Sequence, residues 1–203
     1  MSDRLALDVH VPALEGILRE VYDTGRFTRR ERAYVKRGGE AAGVRTSNWA
    51  LDLRVPLARS ELLQPIAAEM AATLQRAGIS QIAGRGFGSY QLVGGIVAVG
   101  SNLSGGLVRD ARKPYAFTEL VEGGLRRDRP VVVVDDLLST GRSALDAANA
   151  LRKEGYDVIA VYTVFRFAWR RGRSALWAAN LGHRCLASLR RVKAAEPLGG
   201  EVV

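Results

Sequence analysis

The amino-acid sequence predicts an α/β protein whose doubly wound, mostly parallel sheet carries helices on both faces. Apolar segments such as the four consecutive valines at 131–134 are typical of strands buried on both faces of a parallel sheet. These segments alternate with stretches of helical spacing, which is the pattern of helices that connect parallel strands. With 203 residues, of which 47% are hydrophobic and 25% charged, the chain is long enough for one such domain.

The elements of the first half follow from the spacing of apolar residues. Helical spacing predicts a helix over 14–25, which a glycine would end. The basic, aperiodic segment 28–48 predicts a long loop or a hairpin, and strict alternation predicts a strand over 49–55. A second helix is predicted over 63–77, because apolar residues recur there with helical spacing.

The second half contains the more apolar segments. Glycine-rich residues 84–95 lead into a helix that continues through 96–100, and a row of alanines predicts another helix over 144–155. Residues 109–130 are polar and aperiodic, which predicts a long loop that closes over a site as a lid. Buried strands are predicted over 79–84, 105–110, 130–135 and 157–165.

The chain is strongly basic, with a formal net charge of +9 and a pI near 10.3. Three explanations fit this charge: nucleic-acid binding, a cationic pocket for a polyanionic small molecule, or a basic surface without a specific role. No run of five like charges occurs, so composition does not choose among them.

The sequence also bears on cellular location. No segment has the length and apolarity of a membrane span, and the N-terminus lacks the layout of a secretory signal. The single cysteine, Cys185, excludes an internal disulfide framework and is expected to be a small buried side chain. We therefore expect a cytoplasmic protein without a membrane partner.

The segment "VVVVDDLLSTGRS" at 131–143 is the most informative motif. Ligands of open parallel sheets bind beyond the carboxyl ends of the strands, where 135–143 is expected to connect strand to helix. Its small residues let backbone N–H groups and the helix N-terminus converge on a phosphate. Asp135 and Asp136 would repel a phosphate, so ribose hydroxyls, Mg²⁺ or a developing positive charge suit them better; helix capping is the alternative.

This motif resembles the phosphoribosyl-diphosphate (PRPP) binding motif of the type I phosphoribosyltransferases, and the order of elements agrees over about residues 14–192. The resemblance implies one domain over 1–203, with a hood above the base site within 1–48, a core sheet over 49–192 and a tail over 193–203. It implies that Asp135 and Asp136 bind the ribose and hold Mg²⁺, directly or indirectly. The residues implied for the 5′-phosphate are Ser139, Thr140, Gly141, Arg142 and Ser143, with Arg142 where a small residue is common.

Among these enzymes the sequence is most similar to orotate phosphoribosyltransferases. "TGRFTRR" resembles their segment near the base, which implies base contacts by Phe27 and Arg30, and Arg166 matches their arginine against the orotate carboxylate. The loop "GRGFGS" resembles the one that touches pyrophosphate; its implied residues are Arg85, Gly86, Phe87, Gly88 and Ser89. "RDARK" resembles the start of their mobile lid; the implied catalytic residues are Arg109 and Lys113 there, with Asp136.

Several positions depart from the family pattern. Asp110 replaces a basic lid residue, Pro114, Tyr115 and Ala116 replace a segment with histidine, and Phe165 stands where an aspartate is common.

Adenine phosphoribosyltransferases are the second choice, because 109–130 is short for their flap. The basic segment "RFAWRRGRSALW" is either a nucleic-acid patch or, as we prefer, a loop and a helix whose Trp169 and Trp177 pack on the core.

The resemblance implies a reaction as well as a site. The expected activity is Mg²⁺-dependent transfer of phosphoribose from PRPP to a nitrogen base, orotate first, with release of pyrophosphate. A homodimer in which each lid reaches the neighbouring site is implied. The alternative from another class is a non-catalytic regulator that binds PRPP and uses its basic surface on DNA or RNA.

Overall fold

The computed structural model describes residues 4–28, 49–110 and 119–192. Five helices occur within these residues: α1 (Glu15–Gly25), α2 (Ser60–Arg76), α3 (Phe87–Val99), α4 (Arg142–Lys153) and α5 (Gly172–Ala178). The strands of the same residues are β1 (Arg4–Val9), β2 (Arg26–Thr28), β3 (Trp49–Leu51), β4 (Gln81–Arg85), β5 (Ser104–Val108), β6 (Val121–Gly123), β7 (Val131–Leu138), β8 (Val158–Phe167) and β9 (Gly182–Val192).

Seven strands form one sheet in the order β1-β9-β8-β7-β4-β5-β6. The five inner strands are parallel, and the edge strands β1 and β6 are antiparallel to their neighbours. The predicted doubly wound, mostly parallel fold is therefore confirmed. The chain moves from β4 outward to β5 and returns to β7 on the other side of β4, so the strand order reverses between β4 and β7. Such a reversal opens a crevice at the carboxyl ends of the two strands.

The valines of β7 divide the core into two layers. Val132 and Val134 belong to the cluster that α1, α2 and α3 cover, with Ile66 fully buried in it. Val131 and Val133 belong to the opposite cluster, which α4 and α5 cover. The continuous apolar segment is explained by this burial on both faces.

Strands β3 and β7 end at places that differ from the sequence prediction for identifiable reasons. The strand predicted over 49–55 stops at Leu51, because Asp52 accepts hydrogen bonds from the backbone N–H and the guanidinium of Arg54 and so favours a turn. β7 does not end at the aspartates but continues through them to Leu138, where it pairs with β8. The strand-to-helix loop is consequently only 139–141.

Three further features complete the comparison with the sequence prediction. The predicted lid segment contains β6, which pairs with β5. Strands β1, β2 and β9 were not predicted. Trp177 is 80% exposed, so the prediction that it packs on the core is wrong, whereas Trp169 is half-buried against Phe167 with ring centroids 4.8 Å apart.

The N-terminal hood stays a prediction, as do the domain limits. The predicted loop or hairpin over 28–48 lies almost wholly outside the described residues, although its flanking strands β2 and β3 pair antiparallel. Cys185 is buried and free, as expected. The described part of the chain includes no helix with the length and apolarity needed to cross a membrane.

Candidate active site

The two aspartates lie near the carboxyl end of β7, at the crevice between β4 and β7. Asp135 is buried, and its Oδ1 accepts hydrogen bonds from the Ser89 hydroxyl at 2.8 Å and from the Asp136 backbone N–H at 3.0 Å. Ser89 lies in the first turn of α3, directly after the loop at the end of β4. The predicted ribose site and the predicted pyrophosphate loop are thus in direct contact.

Burial changes the protonation of this acidic pair. It raises the pKa of Asp135 to about 8, with the negative charge of Asp136 as a further cause. Burial also raises the pKa of Asp136, and the charge of nearby Asp52 contributes in the same direction. The pair therefore binds a proton near neutral pH, and a cation or a hydroxyl donor would favour its release.

Gly88 allows the pyrophosphate loop to approach the acidic pair. A Cβ atom at Gly88 would overlap the Asp136 carboxylate, so a side chain here would displace that carboxylate. Gly94 on the same helix has open space where its Cβ would lie. This close approach explains why residue 88 is a glycine, although glycine is unfavourable for helix stability.

The predicted phosphate loop connects β7 to α4. Gly141 caps the N-terminus of α4 with a φ of 83°, a left-handed conformation that suits glycine. No described side chain caps the N-terminal N–H groups of α4, and Thr140 and Ser143 are exposed beside them. The loop therefore offers backbone N–H groups, hydroxyls and the positive end of the helix dipole to an anion.

A cleft of about 630 Å³ joins this loop to the end of β4. The guanidinium of Arg85 forms ion pairs at 3.0 Å with Asp110 and with Asp146. Asp110, which replaces a basic lid residue of the family pattern, thus neutralises part of the positive charge in the cleft. The cleft is lined by Arg85, Gly86, Asp110, Thr140, Arg142, Ser143 and Asp146.

The remaining predicted residues lie further along the sheet or outside the described ranges. Arg109 forms an ion pair with Glu122 of β6 at 2.7 Å, and Phe87 is 77% exposed at the start of α3. Lys113 and Arg30 lie outside the described residues. Phe27 is half-buried on β2.

Arg166, the predicted contact of the base, is directed toward β9. Its Nε donates to the Ser188 hydroxyl at 2.8 Å, and His10 Nε2 lies 2.7 Å from the same oxygen. Burial lowers the pKa of His183 to about 4, and the positive charge of Arg166 contributes in the same direction. A contact of Arg166 with a base stays a prediction.

Three charged residues of this region, Asp52, Arg54 and Asp146, were not predicted from the sequence, and neither was the pairing of Asp110 with Arg85. Asp52 and Arg54 form a bidentate pair at 2.7 and 2.8 Å, and the pKa shifts of both Arg54 and Asp136 place this pair near the acidic pair. Asp110 and Asp146 share Arg85. The turn signal at Asp52 was present in the sequence, but the other contacts depend on how the elements pack.

The acidic pair has the chemistry of a magnesium site. Its adjacent carboxylates supply the hard oxygen ligands that Mg²⁺ prefers. No group of three or more potential metal ligands gathers within the described residues. Because Mg²⁺ is commonly held by one or two carboxylates and substrate phosphates, substrate oxygens would complete such a site.

The sequence comparisons point to one group of enzymes. None of the protein-family models matches the chain. The chain is 40% identical over 74 residues to the orotate phosphoribosyltransferase of Halalkalibacterium halodurans, a match covering 36% of this chain and 35% of that protein. It is 28% identical over 146 residues to the orotate phosphoribosyltransferase of Bacillus cytotoxicus, covering 67% of this chain and 65% of that protein. The chain therefore spans about a third to two thirds of the length of these curated relatives.

The comparison of structures agrees. The orotate phosphoribosyltransferase of Mycobacterium tuberculosis in complex with PRPP has a TM-score of 0.63 and 23% identity, covering 84% of this chain and 88% of that chain. Identity at this level shows the fold alone. The chain therefore has the fold of the type I phosphoribosyltransferases, and its sequence is similar to the sequences of orotate phosphoribosyltransferases.

Proposed function

We propose that this protein transfers 5-phosphoribose from PRPP to a nitrogen base, with orotate as the first candidate, and releases pyrophosphate. The observation that carries the proposal is the acidic pair at the strand reversal, of which Asp135 is buried, in contact with one predicted anion loop and adjacent to another. Similarity to curated orotate phosphoribosyltransferases supports the same substrate.

The site contains a group for each part of PRPP. The loop at Gly141 and the N-terminus of α4 would bind the 5′-phosphate. Asp135 and Asp136 would accept hydrogen bonds from the ribose hydroxyls. Arg85 would face the pyrophosphate, once that anion competes with the carboxylates that Arg85 now pairs with.

The reaction requires little covalent work from the protein. The base nitrogen displaces pyrophosphate from the anomeric carbon, and the protein must orient both reactants and exclude water from a cationic centre. The negative charge of the acidic pair would stabilise that centre. Mg²⁺ held by the aspartates and substrate oxygens would neutralise charge on pyrophosphate. Lys113 and Arg109 would supply further positive charge from the lid.

Release of pyrophosphate by purified protein tests this proposal. The assay contains PRPP and Mg²⁺ with orotate, uracil, adenine, guanine, hypoxanthine or xanthine in turn. We expect release with orotate and loss of release in the Lys113→Ala variant. Release with adenine alone would instead support the second choice of base, and no release with any base would reject the proposed activity. The homodimer and the cytoplasmic location stay predictions.

A further inference from the structure

The positive charge of the chain is concentrated in one part of the sequence. Residues 158–192 contain seven arginines and no aspartate, glutamate or lysine, whereas the whole chain has a net charge of +9. This segment comprises β8, α5 and β9. Most of the net charge therefore belongs to this segment of the sequence, which argues against a uniformly basic surface without a role.

Three exposed arginines, Arg170, Arg171 and Arg173, lie together at the start of α5 and form no ion pair with a described residue. Within the described ranges, no carboxylate lies within 4.0 Å of Arg170, Arg171 or Arg173. Other exposed arginines differ: Arg59 pairs with Glu61 at 2.9 Å, and Arg126 pairs with Asp128 at 2.7 Å. Unpaired like charges in one turn repel one another, and a polyanionic partner would relieve that repulsion.

An exposed aromatic ring lies beside these charges. Trp177 is 80% exposed, while Leu176 on the same helix is fully buried and fixes α5 to the core. Arg173 and Trp177 are four residues apart on α5, so their side chains share one face of the helix. An aromatic face next to arginines is the arrangement on which single-stranded nucleic acids stack a base while their phosphates are neutralised.

The position of this turn is fixed by the rest of the fold. The backbone N–H of Gly172 donates to the carbonyl oxygen of Ser139 at 3.1 Å, and a Cβ at Gly172 would lie 2.5 Å from that oxygen. The turn that carries the arginines is thereby packed against the loop at 139–141. A surface on a packed turn is ordered before a ligand arrives, which lowers the entropic cost of binding.

We propose that Arg170, Arg171, Arg173 and Trp177, here called the arginine–tryptophan surface, bind single-stranded nucleic acid. The arginines contact successive phosphates, and one base stacks on Trp177. An unstacked base fits because the surface presents a single aromatic ring on a helix of seven residues, which is too short to read the groove of a duplex. This binding is additional to the proposed transferase activity.

Fluorescence anisotropy with a fluorescein-labelled oligothymidylate of about 20 nucleotides tests the proposal, since this length spans such a surface. The affinity is expected to fall as salt rises, with a slope of about 0.7 per neutralised phosphate. Trp177→Ala is expected to weaken binding about tenfold, and Trp177→Phe less, because a phenyl ring still stacks. Arg170→Ala/Arg171→Ala is expected to weaken binding and reduce the salt slope by about 1.4, from two lost phosphate contacts.

Arg59→Ala/Arg126→Ala is the matched control, because it removes the same charge from exposed arginines elsewhere. The control is expected to bind within about twofold of the unmodified protein, since unspecific charge alone contributes little per residue at moderate salt. All these positions are exposed, and circular dichroism and the melting temperature verify folding.

Four outcomes would overturn the proposal. The first is an affinity of the Trp177→Ala and double-arginine variants that equals the affinity of the unmodified protein. The second is displacement of the oligothymidylate by saturating PRPP and Mg²⁺, which would assign binding to the transferase site. The third is binding of phosphatidylserine vesicles without binding of the oligothymidylate. The fourth is a halved solution mass of Trp177→Ala with no nucleic-acid binding by the unmodified protein, which would make this surface a subunit interface. None of these results depends on transferase activity.

Discussion

Asp135 is buried and Asp136 is half-buried, and neither carboxyl group forms an ion pair with a described residue. Ser89 supplies one hydrogen bond to Asp135, but the dominant influence is burial, which raises the pKa of both groups. An arrangement that destabilises the free protein while leaving two carboxylates ready for a ligand is typical of functional sites.

The raised pKa of Asp135 predicts a pH dependence of stability. Between the ordinary carboxyl pKa of 3.8 and the folded value of about 8, the folded protein keeps a proton that the unfolded chain releases. The free energy of unfolding should therefore be larger at low pH and should decrease as pH rises through this window. Asp135→Asn removes the effect, so urea denaturation should show the variant more stable by about 1–3 kcal/mol at about pH 9 and little changed at about pH 5.

Asp128→Asn is the control for this experiment. Asp128 is exposed, and a hydrogen bond from Arg126 lowers its pKa, so its variant should gain no stability at high pH. Parallel pH profiles for the unmodified protein and Asp135→Asn would contradict the raised pKa.

Gly88 provides a second test at the scale of one residue. Gly88→Ala should displace the Asp136 carboxylate and weaken PRPP binding about tenfold or more, because the new methyl group occupies its position. Gly94→Ala adds the same methyl group to the same helix in open space, so PRPP affinity should be unchanged and stability slightly higher. Isothermal titration with PRPP and Mg²⁺ measures the PRPP affinity of both variants. Equal affinity in the two variants would show that the close approach at Gly88 does not determine PRPP binding.

At the scale of elements, local patterns predicted where most helices and strands lie. The valines of β7 and the alanines of α4 were sufficient to locate these two elements, because a continuous apolar run and helical spacing are properties of the segment itself. The end of β7 was not predicted: Leu137 and Leu138 continue the strand past two aspartates that look like a terminus. That continuation depends on pairing with β8, which no local pattern contains.

Edge strand β1 was missed for a different reason. Leu5, Leu7 and Val9 alternate with polar residues in the way that favours a strand, so the local signal was present. The strand pairs with β9, whose residues are nearly the whole chain length away. The position of Trp177 could not be predicted either, since helical spacing does not show which face of a short helix the sheet covers.

The contact between β4, the start of the lid and α4 predicts an effect on substrate affinity. Asp110 pairs with Arg85 and adds a negative charge to the cleft where pyrophosphate is proposed to bind. Asp110→Asn should therefore lower the Kd for PRPP about twofold to tenfold, the range expected for an exposed ion pair and one repulsive charge.

Asp128→Asn again serves as the matched control, because its carboxylate pairs with Arg126 outside the cleft. Calorimetric titration with PRPP and Mg²⁺ gives the Kd values of both variants. An unchanged or weaker affinity in Asp110→Asn would show that Asp110 positions Arg85 for the ligand instead of opposing the ligand.

At the scale of the whole molecule, the strand order determines where the chemistry can occur. Five parallel strands direct their carboxyl ends to one edge, and the reversal between β4 and β7 brings the glycine-rich loop against the aspartates. The sequence motif was sufficient to predict that the two aspartates lie near the carboxyl end of a buried strand and that a short loop and a helix follow them, while their binding roles stay predictions. Charged neighbours such as Asp146 and Arg54 come from separate elements, so only the assembled fold identifies them.

Conversion of orotate and PRPP to orotidine 5′-phosphate is the most direct test of the central claim. Chromatography of the reaction with Mg²⁺ should show product and pyrophosphate in equal amounts from the unmodified protein. Asp136→Asn, verified as folded by its melting temperature, should be slower by on the order of 10²–10³, as for loss of one preorganised electrostatic group. Equal rates in the two proteins would show that the acidic pair does not contribute to the reaction. Absence of product from the unmodified protein would contradict the proposed orotate phosphoribosyltransferase activity.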